Sequence, residues 1–122
     1  MKIYLDNCLP RKLKFHLNAE YTIDHASDRE WGGLENGTLL RTVEPEYDVF
    51  ITVDRAQRTQ QQEQKKGYEQ YELSFIVLRV FSNSLPAILP FAPAINLALA
   101  TIEAGEPGQV HYLGEPRLLM KQ

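Results

Sequence analysis

The chain has 122 residues, of which 43% are hydrophobic and 24% are charged, which is the size and balance of one globular domain. A chain of this length hides roughly two-thirds of its unfolded surface on folding, so residues 1–122 are expected to form a single domain. Cys8 is the only cysteine, and the formal net charge is −3. These values exclude a disulfide framework, a cysteine zinc site and nucleic-acid binding driven by whole-chain charge.

The sequence favours a cytoplasmic protein. No secretory signal pattern opens the chain, and sparing use of cysteine is typical of reducing compartments. The longest strongly apolar stretch covers residues 85–102. Because prolines interrupt it at Pro86, Pro90 and Pro93, we interpret it as buried surface and predict no membrane span.

The first quarter of the chain predicts a strand, a helix and a second strand. Lys2–Leu5 is a short β-type run, and Asp6 follows at its end. Pro10 presets the first turn of a helix. Residues 21–25 alternate weakly and predict the second strand, whereas residues 26–33 carry turn residues. The apolar face of the first helix would contain Leu9, Leu13 and Leu17.

The next elements are a second helix and the clearest strand. Leu39, Leu40 and Val43 repeat at helical spacing until Pro45 stops the helix. Residues 48–53 form a β-branched and aromatic run that predicts a buried strand. Asp54 ends this strand, so a second acidic residue lies at a predicted strand end.

The rest of the chain predicts two further strands. Residues 55–71 are polar and rich in glutamine, which suits either an exposed helix or a loop. Residues 75–81 predict a fourth strand, and residues 95–103 a helix that Gly105 ends. Val110–Leu113 predicts a last short strand.

Nearly uninterrupted apolar strands, each followed by a helical segment, predict an α/β fold with a mostly parallel sheet and helices on both faces. In such sheets ligands bind beyond the carboxyl ends of the strands. Asp6 and Asp54 both fall at such ends. If the strand order is 2-1-3-4-5, the two carboxylates come within reach of one ion.

Two close carboxylates repel each other, and a divalent cation is the usual remedy. Oxygen ligands suit Mg²⁺ or Mn²⁺, so we predict that Asp6 and Asp54 are metal ligands. Asn7, Glu35 and Asn36 are candidates for completing the ligand set. The alternatives are that the two aspartates and Asn36 cap helices or turns and that Glu35 is a solvated charge.

Five short motifs resemble the PIN-like domain family that is linked to bacterial toxin–antitoxin loci. They occur in order along nearly the whole chain: LDNCLP at residues 5–10, WGGLENGTLL at 31–40, DVFITVDR at 48–55, the pair Gln60 and Gln61, and LRVFSN at 78–83. The resemblance implies a three-layer PIN-like fold and, through the related PIN ribonucleases, metal-dependent cleavage of RNA. It also implies a cognate antitoxin protein that blocks the site.

Two acids of this chain match acids in the family's motifs. Asp6 matches the acid after the first strand, and Asp54 matches the acid of the Thr-x-Asp motif, in which Thr52 is the threonine. Asn7 and Asn36 stand where relatives place acids, and Glu35 is a further candidate in the catalytic set. Because each amide carries one negative charge less, we expect a single weak metal site and a weak or inactive nuclease.

Several other polar residues are candidates for contacting a phosphate or a partner. Arg55 and Arg79 lie near the predicted strand ends, whereas the lysines of the first helix are expected to be solvated. Ser82 could bind phosphate or cap a helix. The same choice between substrate and ordinary structural roles applies to Asn83, Gln60 and Gln61.

Three remaining residue types are expected to be structural. The histidines, including His25, show no spacing of a ligand set. Cys8 has no evident base partner and is interpreted as a small buried residue. Trp31 could stack on a nucleobase, but a lone tryptophan more often fills the edge of a core.

Three function hypotheses follow. The first is a magnesium-dependent ribonuclease of the toxin type, and the second a catalytically degenerate PIN-like module that binds a protein or RNA. The third is a phosphoacceptor receiver domain, which is weakened because residues 110–116 contain no lysine. Residues 85–91 are apolar enough to form a homodimer interface or part of the core.

Overall fold

A parallel five-stranded sheet organises the chain in the computed structural model, which describes residues 1–31, 33–54 and 67–114, without the Asn36 side chain. The strands are β1 Lys2–Leu5, β2 Thr22–His25, β3 Val49–Asp54, β4 Ser74–Arg79 and β5 Val110–Leu113. All neighbours are parallel and the order is β2-β1-β3-β4-β5. The predicted α/β class and the 2-1-3-4-5 order are therefore confirmed.

Short helices and 3₁₀ turns connect the strands. The α-helices are α1 Asn36–Val43, α2 Leu85–Ile88 and α3 Ala92–Ala104, and 3₁₀ turns cover Arg11–His16, Ala26–Asp28, Tyr68–Gln70 and Leu89–Phe91. Gly105 follows α3, and its N–H donates to the Ile102 carbonyl at 3.2 Å. The end predicted for this helix is thus correct, although the helix begins earlier than residue 95.

The first helix is a correction, because Arg11–His16 is a 3₁₀ helix. Its last bond runs from the Leu17 N–H to the Lys14 carbonyl, which is the three-residue spacing of that helix type. The next N–H, that of Asn18, donates to the Asn96 side chain on α3 at 2.9 Å. This bond ends the helix before an α-helical turn can extend, yet the three predicted leucines are buried.

The sheet divides the core into an aliphatic and an aromatic cluster, because successive strand residues face opposite sides. The aliphatic cluster combines inward residues of β1, β3 and β4, such as Ile3 and Ile51, with Ile95 and Leu99 of α3. The aromatic cluster combines the alternate strand residues with α1, and contains Tyr4, Leu40, Tyr47, Phe50 and Phe75. Polar residues at the end of the aromatic face form the candidate site.

The apolar segment Leu85–Ala104 is long and apolar enough to cross a membrane by length and composition alone, and 33% of its most apolar window is buried. In the fold it is divided among α2, a 3₁₀ turn and α3. Ile88, Ile95 and Leu99 are fully buried in the aliphatic cluster. The segment therefore supplies core residues, as its sequence predicts.

Candidate active site

The carboxyl ends of β1 and β3 bring Asp6 and Thr52 into direct contact. The Asp6 N–H donates to the Ile51 carbonyl at 3.0 Å and so continues the ladder between the two strands. The Thr52 hydroxyl donates to Asp6 Oδ2 at 2.6 Å. Thr52 is only 8% exposed, so this charge-assisted bond lies in a poorly hydrated place and fixes the carboxylate.

Asp54 lies on the same face and at the same edge. It is the last residue of β3, two positions after Thr52, and it pairs in register with Arg79 of β4. At about 3.3 Å per residue, it lies about 7 Å beyond Thr52 along the strand. Asp54 is 5% exposed. The predicted strand order thus places both acids at one edge, on one face.

The turn after β1 places Cys8 between Asp6 and Thr52, which the sequence had not indicated. The Leu9 N–H donates to the Asp6 carbonyl at 2.9 Å and closes the turn. Cys8 Sγ then lies 3.7 Å from Asp6 Oδ2 and 3.6 Å from Thr52 Oγ1. Burial and the nearby Asp6 charge raise the pKa of the Cys8 thiol. The neutral thiol is therefore favoured at neutral pH.

Asp6 is held by neutral donors. The Asn7 N–H donates to Asp6 Oδ1 at 2.8 Å, while Thr52 occupies the other oxygen. Within residues 1–31, 33–54 and 67–114, no lysine, arginine or histidine forms an ion pair with Asp6. Its charge is felt by Tyr4, whose pKa is raised to about 12 first by burial and then by Asp6. The charge of Asp6 is therefore not neutralised by an ion pair within this part of the chain.

The donor set fits one hard cation. Two carboxylates and a hydroxyl supply oxygen ligands, and Mg²⁺ is usually held by one or two carboxylates together with water and substrate oxygens. Among the described residues, no group of three or more His, Cys, Asp or Glu side chains is arranged to hold a metal ion. Asp6 and Asp54 are therefore the candidate ligands at this edge, and no third acid joins them among the described residues.

Of the residues proposed to complete the ligand set, Glu35 does not join the two aspartates, and Asn7 contacts Asp6 through its backbone. Glu35 is exposed, immediately precedes α1 and makes no capping bond with its side chain. It does not form a three-acid group with Asp6 and Asp54. Asn7 is exposed and reaches Asp6 through its backbone N–H. Asn36 is the first residue of α1, and its side chain lies outside the described residues.

The polar residues that follow β4 make hydrogen bonds within the protein. Asn83 Nδ2 donates to the Cys8 carbonyl at 2.7 Å, so this amide holds the turn after β1. Ser82 Oγ accepts the Ser84 N–H at 3.1 Å and contacts the Ser84 hydroxyl, which caps α2. Ser84 and not Ser82 is thus the residue that caps α2, and Ser82 contacts that cap. Arg55, Gln60 and Gln61 lie outside the described residues.

Arg79 and Trp31 lie on the aromatic face of the sheet. The Arg79 guanidinium sits over the Tyr112 ring, 4.3 Å from its centroid, where cation–π attraction keeps it at the site's edge. Trp31 stacks on Tyr4, with ring centroids 5.9 Å apart, and the Arg29 guanidinium lies 3.9 Å from its ring. Trp31 therefore fills the edge of the aromatic cluster.

A cavity of about 510 Å³ opens at the opposite, amino-terminal edge of the sheet. It is lined by acids that include Glu44, Asp48 and Glu72. Asp48 Oδ2 accepts the Lys2 N–H at 2.8 Å, and Glu44 Oε2 accepts the Glu72 N–H at 2.7 Å. These carboxylates tie strand starts and loops together, so we do not take this cavity as the active site.

Comparison of the chain with protein-family models, with curated proteins and with solved structures finds no match. Function is therefore inferred from the geometry of the edge that carries Asp6, Thr52 and Asp54.

Proposed function

We propose that this protein is a cytoplasmic, Mg²⁺- or Mn²⁺-dependent ribonuclease of the PIN-like, toxin–antitoxin type. The observation that carries the proposal is the Asp6 carboxylate, fixed by Thr52 at 2.6 Å, with buried Asp54 on the same face and edge. An electronegative pair of oxygen ligands beyond parallel strand ends is the expected place for a phosphate-binding cation.

Asp6 and Asp54 would hold the ion, and the other residues would prepare them. A bound divalent ion supplies Lewis-acid polarisation of the phosphate and lowers the pKa of an attacking water. Thr52 keeps one Asp6 oxygen in place, and the Asn7 N–H keeps the other. Either carboxylate can accept a hydrogen bond from the water and so orient it.

Arg79 supplies positive charge on the strand next to Asp54. Arg79 pairs in register with Asp54, and its guanidinium lies over the Tyr112 ring of β5 at the same edge of the sheet. Guanidinium groups bind phosphate oxygens in a bidentate manner. Arg79 would therefore hold the RNA backbone, while the acids act on the scissile phosphate.

The test is cleavage of single-stranded RNA by purified protein in Mn²⁺ or Mg²⁺. We expect chelator to abolish cleavage. Asp6→Asn and Asp54→Asn should each reduce it by about 100-fold, the upper end of the loss that changing an outer-shell partner causes, because each variant loses a proposed ligand charge. Asp48→Asn is the matched control, because Asp48 lies at the other end of β3. Cleavage that persists in chelator or in both variants would falsify the proposal.

The second candidate is a PIN-like module that binds RNA or an antitoxin without cutting. It is favoured by the lack of a three-acid group in the described part of the chain. RNA binding without turnover in Mn²⁺, retained by Asp54→Asn, would support this candidate against the first. A cognate antitoxin and a homodimer through residues 85–91 remain proposals, which co-purification and sedimentation would test.

A receiver-like phosphoacceptor is the third candidate. Its strand order is also 2-1-3-4-5, so the topology does not separate it from the others. β5, with sequence VHYL, carries no lysine to complete that site. Lack of phosphate transfer from a small phosphodonor to Asp54 would exclude it.

A further inference from the structure

The turn after β1 is held by two side chains, one at the end of β2 and one from the segment that follows β4. This turn comprises residues 6–9 and is closed by the Leu9 N–H bond to the Asp6 carbonyl. His25 Nε2 lies 2.7 Å from the Leu9 carbonyl, and Asn83 Nδ2 lies 2.7 Å from the Cys8 carbonyl. His25 ends β2 and Asn83 follows β4, so the two hydrogen bonds reach the turn from opposite sides of the β1–β3 pair.

The bonds around His25 assign its tautomer. The Ser27 N–H donates to Nδ1 at 3.0 Å, so Nδ1 carries the lone pair. The Leu9 carbonyl can only accept, so Nε2 carries the proton. His25 is 3% exposed, and its two ring nitrogens have separate roles, since Nδ1 caps the Ala26–Asp28 turn and Nε2 holds Leu9.

We propose that His25 is a positioning residue for Asp6, acting through its Nε2 bond to the Leu9 carbonyl, with Asn83 as its counterpart on the other side. The inference rests on the proposed metal site, because Asp6 is a proposed ligand. The Cys8 carbonyl belongs to the Cys8–Leu9 peptide and the Leu9 carbonyl to the Leu9–Pro10 peptide, so the two bonds hold the end of the turn that the Leu9 N–H closes onto the Asp6 carbonyl. Holding this end keeps the turn in the conformation in which the Asn7 N–H donates to Asp6 Oδ1 and Cys8 lies against Asp6 Oδ2.

Two substitutions separate the two roles of the ring. His25→Asn keeps an acceptor close to the backbone, where asparagine is a good N-cap, but it is too short to reach the Leu9 carbonyl. His25→Gln places an amide N–H near the position of Nε2 and keeps the Leu9 bond, while it loses the cap. Because each variant loses one hydrogen bond, both should lower the Tm by similar amounts.

The experiment measures Mn²⁺ affinity by calorimetry and the exchange rate of the Leu9 amide by NMR, in the full chain. We expect His25→Asn to weaken Mn²⁺ binding by about 10-fold or more, the usual effect of losing a group that orients a ligand, and to speed Leu9 exchange. His25→Gln should restore both. Asn83→Ser, which cannot reach the Cys8 carbonyl, releases the turn independently should His25→Asn fail to fold.

Two outcomes would overturn the inference: wild-type Leu9 exchange and Mn²⁺ affinity in His25→Asn, or equal losses in the Asn and Gln variants. The latter would show that His25 only supports the fold. If wild-type protein binds no Mn²⁺ while Leu9 exchange still separates the two variants, the proposed metal site fails but the positioning of the turn by His25 is supported.

Discussion

The two edges of the sheet are both acidic, but their carboxylates are held in different ways. At the amino-terminal edge, Asp48 and Glu44 accept backbone N–H groups of Lys2 and Glu72, and so connect neighbouring segments. At the carboxyl-terminal edge, Asp54 is buried and Asp6 is fixed by the Thr52 hydroxyl. Acidic residues occur at both edges, and what distinguishes the proposed site is that its acids lie at the carboxyl ends of two neighbouring strands, on one face of the sheet.

The largest expected effect is that of exchanging acids at the two edges. Asp54→Asn removes one charge from the proposed ligand pair and should weaken Mn²⁺ binding by about 100-fold, the upper end of the loss that changing an outer-shell partner causes, because a direct ligand is altered. Asp48→Asn should change it little, since the amide oxygen can still accept the Lys2 N–H. Calorimetric titration gives the Mn²⁺ affinity of each variant. Equal affinities in Asp54→Asn and Asp48→Asn would contradict a metal site at the carboxyl-terminal edge.

A smaller effect is expected from buried hydroxyls at the two edges. Thr52→Val deletes the donor to Asp6 and should lower RNA cleavage by about 10-fold, whereas Thr52→Ser should restore it. At the other edge, Ser74 Oγ accepts the Gln109 N–H at 3.0 Å. Ser74→Ala should lower the free energy of unfolding by about 1 kcal/mol without altering cleavage.

Should Ser74→Ala lower cleavage as strongly as Thr52→Val at equal folded fraction, the carboxyl-terminal edge would have no special role. Urea denaturation gives the free energy of unfolding of each variant, so that loss of fold and loss of chemistry can be separated.

Two tyrosines provide a subtler comparison. The pKa of Tyr4 is raised to about 12 by burial and then by Asp6, and that of Tyr47 to about 12 by burial and then by its bond to Asp24. Asp6→Asn should therefore lower the pKa of Tyr4 and leave that of Tyr47 unchanged. NMR titration of ring-labelled tyrosine measures both pKa values. An unchanged pKa of Tyr4 in Asp6→Asn would show that the Asp6 charge does not act on Tyr4.

These raised values also give a pH dependence of stability. Free tyrosine ionises near pH 10, so the unfolded chain loses these protons before the folded one. The stabilisation is complete below pH 10 and is lost as the pH rises towards about 12. In Tyr47→Phe, the free energy of unfolding should therefore fall less steeply with pH above pH 10. An unaltered pH profile would show that Tyr47 has the same pKa in the folded and unfolded states.

The smallest expected effect is on the reactivity of Cys8. Burial and the Asp6 charge raise the pKa of its thiol, and the thiolate is the reactive form. Alkylation of Cys8 at neutral pH should therefore be slow and should become several-fold faster in Asp6→Asn. A rate that does not respond to Asp6→Asn would place the thiol away from the carboxylate.

The sequence predicted the central strands well because the apolar runs of β3 and β4 are buried on both faces of the sheet. β5 matches its predicted range, and the observed strand order is the one on which bringing Asp6 and Asp54 to one edge depended. The helix after Pro10 was wrong in type, since its last bond has the three-residue spacing of a 3₁₀ helix. The Asn18 N–H beyond it donates to Asn96 of α3, and a contact 78 residues away leaves no local signal of where the helix stops.

The site was predictable only in part, for a similar reason. Asp6 and Asp54 could be found because a parallel sheet aligns its strand ends. The roles of Cys8, His25 and Asn83 depend on a turn geometry and on bonds to backbone carbonyls. Any residue supplies such a carbonyl, so no residue pattern reveals these contacts in advance.

The most direct test of the proposed metal site is a crystal of this protein soaked in manganese, with the ion located by its anomalous scattering. We predict one ion, in contact with the carboxylates of both Asp6 and Asp54. An ion bound instead among Asp48, Glu44 and Glu72, or no ion at either edge at a concentration that supports RNA cleavage, would contradict this prediction.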